Sequence, residues 1–282
     1  MQDLYFDVNG VRLHALQDGD PSGDTIVFLH GFPEFSYAWH DQLPFFASKG
    51  FNAIAPDLRG YNLSSKPKGT HAYVIDHIVA DVVALIKHLT PKKVTLVGHD
   101  WGGGVAWTLA QQHPELLNKL VILNMPHLQV MLNNLKRSPK QMFKSWYAAF
   151  FQLPFIPEWL CRMFGFRLLK NSLRKTSKRG TFSKQDMQRY QQAWQQPYAL
   201  TAMINWYRAF KQDAAKSYTQ IHVPTLIIWG KKDTTLSVEM AKQSIDFCLK
   251  GKLVLLDDAT HWLHHEKPNE VNQLIWSCAK AR

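Results

Sequence analysis

Five consecutive residues, Gly98-His99-Asp100-Trp101-Gly102, set a carboxylate between glycines where the apolar run VTLVGHD gives way to a helical pattern beginning near Gly103. The glycines have a physical use. A side chain raised on a sharp strand-to-helix turn needs neighbours without Cβ atoms, which would collide with the adjoining strand and helix. At the helix N-terminus the negative charge is favoured by the helix dipole and by free backbone N–H groups. A serine so placed, with a histidine base, attacks acyl carbons. An aspartate can instead displace a leaving group from an sp³ carbon and form an alkyl ester. The substrate then stands in the alcohol part of the ester, and water attacks the protein's own carboxyl carbon, so epoxides and alkyl halides are the natural electrophiles. The plainer reading is an aspartate that caps the helix and happens to lie between glycines.

Ester hydrolysis needs a base. The segment LVLLDDATHWLHHEKP supplies His261 directly after the last apolar run, whereas His264 and His265 fall where the next helix should form. An orienting acid should follow an earlier strand, and PTLIIWGKKDTT offers Asp233 there. A second location, the end of LVILNM, holds Asn124, which cannot carry the charge. Asp257 and Asp258 lie too near His261 in sequence and are read as surface-loop residues. Nucleophile, acid and base then follow in chain order. Two fixed N–H donors are needed for the oxyanion, and the backbones of Trp101 and of Phe32 in HGFPE are the candidates, with Gly31 allowing close approach and Pro33 stiffening the loop.

The elements that must carry these residues alternate. LYFDVNG and VRLHALQD predict a hairpin joined at Asn9-Gly10. TIVFLHG, FNAIAPD, VTLVGHD, LVILNM, PTLIIWG and LVLLDD are continuous apolar runs, as in strands buried on both faces. YVIDHIVADVVALIKHLT has the apolar spacing of a helix, and further helices are expected over Val238 to Leu249 and from Asn269. This pattern predicts helices crossing over a mostly parallel sheet. From Met125 to Ile221 the rhythm stops, and Trp, Tyr, Phe and Gln accumulate in helical stretches broken at Pro154, Pro157 and Pro197. Three segments follow: 1–124, an inserted helical 125–221, and 222–282.

Charge divides the chain in the same way. The formal net charge is +11, yet residues 125–221 hold 16 Lys and Arg against 3 Asp and Glu, leaving the remainder close to neutral. Arg174, Lys175, Lys178 and Arg179 sit in no recognisable nucleic-acid-binding pattern, so nucleic acid is not expected as a partner. A solvated helical face is the simple reading; an anionic membrane surface, or a fatty substrate with a carboxylate tail, is the sharper one. No apolar run is long enough for a membrane-spanning helix, and MQDLYFDVNG lacks the features of a signal peptide, so a soluble, cytoplasmic protein is expected. Cys161, Cys248 and Cys278 have no metal or redox spacing and read as small core residues of a reducing compartment.

Together, HGFPE, APDLRGYNLSSKP, GHDWGGGVAW, PTLIIWGKKD and THWLHHEKP resemble the epoxide hydrolase branch of the α/β-hydrolase superfamily, nearly from end to end. The resemblance implies a mostly parallel eight-stranded sheet flanked by helices, with a helical cap inserted after the sixth strand. It also implies two cap tyrosines that hold and protonate the epoxide oxygen. SWYAAFFQLP assigns Tyr147 and INWYRAF assigns Tyr207, with Tyr190, Tyr198 and Tyr218 as rivals. The cap aromatics Phe143, Trp146, Phe150, Phe151 and Trp206 suggest an apolar pocket, with Trp146, Phe151 and Trp206 as substrate contacts; they could equally form cap core. Neither metal nor organic cofactor is required. One departure is Asn62, where the family usually has glycine; asparagine tolerates positive φ best after glycine.

The expected substrates are therefore an apolar epoxide and water. A dehalogenase using the same nucleophile is the alternative. Similar haloalkane dehalogenases often pair a Trp after the nucleophile with an Asn in the first loop, and here Phe32 replaces that Asn. Fluoroacetate dehalogenases carry Arg where Trp101 stands. A non-catalytic small-ligand-binding protein of the same fold ranks below both, because the triad is complete.

Overall fold

Strands that must be covered on both faces have no room for alternation, and the central runs show it. Every residue of β4 (Phe51–Pro56), β5 (Val94–His99) and β7 (Thr225–Gly230) is buried. The computed structural model describes residues 1–213 and 219–281, apart from the side chains of Pro139, Lys140 and Asp213. With β1 (Gln2–Val8), β2 (Val11–Asp18), β3 (Asp24–Leu29), β6 (Leu117–Leu123) and β8 (Gly251–Leu256), these strands form one eight-stranded sheet. The order is β1-β2-β4-β3-β5-β6-β7-β8. Only the β1/β2 and β2/β4 pairs are antiparallel, so the predicted α/β-hydrolase architecture is borne out. Asn9 and Gly10 turn the opening hairpin with φ of 48° and 73°, the left-handed pair that the two-residue connection requires.

Registry brings the site to one edge. β3 has β4 on one side and β5 on the other, so chain order reverses there, and such a reversal opens a crevice beyond the strand C-termini. The pairs Leu29↔Gly98, His99↔Leu123 and Leu123↔Ile228 align those ends, so the turns after β3, β5, β6 and β7 emerge side by side. The helix Trp101–Gln112 is buried along most of its length, and Ile75–Leu89 packs beside it through Ile78, Val82 and Ile86. Asp81, buried on that second helix, receives both arms of Arg59 at 2.7 Å. The loop after β4 keeps Asn62 at φ 38°, as expected of a glycine substitute.

Between β6 and β7 the chain forms helices over Leu128–Arg137, Pro139–Lys144, Trp146–Phe150, Ile156–Thr176, Lys184–Gln195 and Ala199–Asp213. Pro154 and Pro197 fall in breaks, as predicted. Pro157 does not, because it occupies the first turn, where a missing N–H costs nothing. The break lies instead at Met163–Phe166, whose backbone leaves the helical region around Gly165. Long polar tips fasten this segment over the sheet edge. Trp194 Nε1 donates to the Pro33 carbonyl at 2.6 Å, Trp206 Nε1 to the Arg59 carbonyl at 3.0 Å, and the Tyr37 hydroxyl to Asp186 at 2.7 Å. The cysteines are unpaired thiols, with Cys161 fully buried. No helix among the described residues is long and apolar enough to cross a membrane.

Candidate active site

The turn after β5 is as tight as its glycines imply. A Cβ on Gly98 would lie 2.5 Å from the Gly102 carbonyl oxygen, and one on Gly102 would lie 2.2 Å from that of Leu29. Asp100 sits between them at φ 48°, ψ −126°, a conformation that side-chain-bearing residues rarely adopt and that projects its carboxylate above the sheet edge. The helix begins at Trp101, two residues earlier than the sequence suggests, so the Trp101 N–H belongs to its first turn and has no acceptor within the helix. From the loop after β3, the Phe32 N–H donates to Asp100 Oδ1 at 2.8 Å. Asp100 Oδ2 faces His261 Nε2 at 3.6 Å.

His261 follows β8 and is buried. Its Nδ1 stands 2.8 Å from Asp233 Oδ2, and that carboxylate is itself held in place. Asp233 Oδ1 accepts from the Thr235 and Leu236 N–H groups at 2.7 and 2.9 Å, and Oδ2 also accepts from Asn124 Nδ2 at 2.5 Å. Asn124 Oδ1 in turn accepts from the Gly230 N–H. The residue set aside for lacking a charge is thus a clamp on the acid that has one. Burial opposes protonation of His261, but Asp233 and then Asp100 outweigh it and raise the imidazole to about 10. Burial likewise opposes ionisation of Asp100, yet His261, His99 and the Phe32 N–H together hold its carboxyl below the usual range. Asp257 and Asp258 lie elsewhere, paired with Lys231 and with Lys178 and Lys267.

Above Asp100 lies a cavity of about 110 Å³. Asp100, Trp101, Tyr147 and Tyr207 line it together with apolar Met125, Met131, Leu135 and Phe210. The two tyrosine rings are 5.9 Å apart, and Tyr207 is wedged edge-on among Phe32, Trp101 and Phe151. Burial, followed by the nearby acidic groups and tyrosine, pushes both phenols well above their ordinary value, so they stay protonated. Among the rivals, Tyr190 is spent on Glu34, Tyr198 does not line the cavity, and Tyr218 lies outside the described residues. The aromatic assignments need correction. Trp146 is 61% exposed and does not line the cavity. Trp206 is buried against Tyr61 and Trp101 with its indole N–H committed to Arg59, and Phe151 braces Tyr207 and Phe32. Aromatic composition could not tell these packing roles from contact with a ligand.

Sequence reasoning also missed a buried polar cluster behind His261. Glu34 Oε1 accepts from the Tyr190 hydroxyl at 2.6 Å and lies 2.7 Å from His265 Nε2. Its Oε2 lies 3.4 Å from both His99 Nδ1 and His264 Nε2. His99 Nε2 then meets the His261 carbonyl at 2.9 Å, tying the loop of His261 to β5. Glu34, His99 and His264 bring three potential metal-ligand atoms within 4.8 Å of one another. The lone acid in HGFPE and the His264-His265 doublet were the available signals. Because Glu34 is fully buried, Glu34→Ala is expected to cost about 2–4 kcal/mol of stability. Urea unfolding reads this as a lower midpoint with the same slope, and a loss below about 0.5 kcal/mol would dismiss the cluster as a structural element.

An aspartate, histidine and second aspartate gathered beyond a reversing, mostly parallel sheet define a hydrolase of the α/β class. A family model described as alpha/beta hydrolase fold matches residues 24–268, and the chain belongs to that family. It is 44% identical over 272 residues to the AB hydrolase superfamily protein YfhM of Bacillus subtilis (strain 168), covering 96% of this chain and 95% of the relative. With epoxide hydrolase 4 of Mus musculus the identity is 35% over 278 residues, covering 96% and 77%. A crystal structure of the Bacillus megaterium epoxide hydrolase in complex with an inhibitor superposes with a TM-score of 0.90 at 33% identity, covering 99% of this chain and 100% of that one. Within the family, the chain belongs to the epoxide hydrolase branch.

Proposed function

We propose that this protein is an epoxide hydrolase that turns an apolar epoxide into a vicinal diol through an ester on Asp100, with residues 125–221 as its cap. The observation that carries this reading is the pairing of two protonated tyrosines, Tyr147 and Tyr207, with a carboxylate nucleophile across one small apolar cavity. Because the Phe32 N–H holds Asp100 Oδ1, Oδ2 is the oxygen free to attack. It displaces the epoxide oxygen from carbon while a tyrosine hydroxyl gives that oxygen its proton, which an alkoxide leaving group needs. His261, oriented by Asp233, then takes a proton from water as the water attacks the Asp100 carboxyl carbon. The Phe32 and Trp101 N–H groups stabilise the oxyanion, the ester's acyl–oxygen bond breaks as the imidazolium returns its proton to the departing alkoxide oxygen, and the proton left on the Asp100 carboxyl restores the tyrosine hydroxyl. The diol leaves with an oxygen that began on Asp100.

That last point is the test. In a single turnover in ¹⁸O-labelled water with enzyme in excess, the new hydroxyl should be unlabelled and Asp100 labelled. Label in the first-turnover diol would mean that water attacks the epoxide directly.

The two steps should also separate by pH. Asp100 stays ionised below the usual carboxylate range, so alkylation is expected to be flat from neutral to mildly acid pH. Esterification removes one of the two carboxylates that raise His261 to about 10, so the imidazole then loses its proton at lower pH. As only neutral imidazole is a base, ester hydrolysis should slow as pH falls through this lowered value. Stopped-flow measurements resolve the two phases, and a pH-independent second phase would remove His261 as the base.

A further inference from the structure

Nine of the thirteen large apolar side chains that stand exposed among the described residues fall between Met142 and Leu168. Phe143, Phe155 and Phe164 are 82%, 85% and 78% exposed, and Trp146 and Trp159 join them. Scattered single apolar residues are ordinary on a protein surface, but this concentration within one segment is not. The same stretch and the turns that follow expose Arg162, Arg167, Arg174, Lys175 and Arg179, and no described carboxylate pairs with any of them. The acids are turned to other uses: Glu158 is buried against Arg208, and Asp186 is held by Tyr37 and Ser183. What faces water is therefore apolar and cationic.

We propose that the surface of residues 142–179 docks onto an anionic lipid bilayer, its aromatic side chains entering the interface and its basic side chains meeting the headgroup phosphates. Charge complementarity selects this occupant. Residues 125–221 hold 16 basic against 3 acidic residues, so two copies of this surface would repel each other. Nucleic acid would satisfy the cations but gives no place to aliphatic Met142, Leu153, Ile156 and Leu168. An interface of acyl chains beneath phosphates accommodates both. The patch is also continuous with the cavity, since Ser145, Tyr147, Ala148 and Gln152 line it from within the same segment. An epoxide dissolved in the bilayer would then enter beside Tyr147; that consequence rests on the function proposed above, whereas the docking does not.

Flotation of the full chain with vesicles tests docking without reference to catalysis. The comparison is phosphatidylcholine alone against phosphatidylcholine with phosphatidylglycerol, at low and at about 0.5 M salt. Phe155 and Phe164 have positive φ, 61° and 49°, so Phe155→Asn and Phe164→Asn suit their backbones and, with Trp159→Gln, make a triple variant that leaves the cavity untouched. Wild type should float with the anionic vesicles at low salt, and the triple variant at least about tenfold less, with an unchanged circular dichroism spectrum. Absence of wild-type flotation, equal flotation of the variant, or a wild-type dimer that the substitutions dissolve would each overturn the proposal.

Discussion

His261→Gln exposed to a lipophilic epoxide is expected to gain the mass of the whole epoxide and to keep it. The variant lacks the base for the second step but retains Asp100, whose Oδ2 is the oxygen free to attack and whose Oδ1 is held by the Phe32 N–H at 2.8 Å. Turnover should fall by about 10⁴-fold or more, since general-base assistance and the nucleophile's ester act in series. Intact-mass measurement distinguishes three results. The whole epoxide mass, absent when Asp100→Ala is added, is the expected one. Addition of only the alkyl group from a matching bromide, with no adduct from the epoxide, would turn the assignment to a dehalogenase. A persistent adduct in the double variant would remove Asp100 as the nucleophile. Asp100→Asn is a poorer control, because deamidation would restore the carboxylate.

Replacing Tyr147 and Tyr207 with phenylalanine should give the second-largest effect, and its size depends on the leaving group. Each single change is expected to slow epoxide alkylation by about 10²-fold and the double change by about 10⁴-fold, the range for a positioned acid. Both tyrosines line the cavity with Asp100, so either is placed to serve an oxygen leaving from the carbon under attack. A bromide needs no proton to leave. If the tyrosines act as acids, alkylation by an alkyl bromide in the His261→Gln background should therefore survive the double change nearly intact. Equal losses with both substrates would remove the tyrosines as acids, since the hydroxyls would then matter as much to a leaving group that needs no proton.

The relation between Asn124 and Asp233 shows how a correct sequence argument can stop short. Lack of charge removed Asn124 as the acid, and Asp233 does meet His261 Nδ1 at 2.8 Å. Yet Asn124 donates to the same Asp233 oxygen, a contact across 109 residues that no local pattern announces. The Glu34 cluster is similar. Its members come from the loop after β3, the end of β5, the short helix Leu263–Glu266 that follows β8 and the helix Lys184–Gln195, so only the folded sheet edge unites them.

By itself, the sequence determined the eight strands, the hairpin turn at Asn9-Gly10 and the sharp turn at Asp100, because each depends on local rules: apolar runs, unbroken where both faces are covered as in β4, β5 and β7, left-handed φ at Asn-Gly, and glycines where Cβ atoms would collide. It also separated the basic, aromatic segment from the rest by composition. Tertiary structure alone decided which aromatics face the cavity. Trp146, Tyr147, Phe151 and Trp206 share a hydrophobic character, and only the packing of helices over the sheet edge turned Tyr147 inward, left Trp146 in solvent and committed Trp206 to Arg59. Periodicity states that a face must be buried. What buries it is settled by residues far away in the chain.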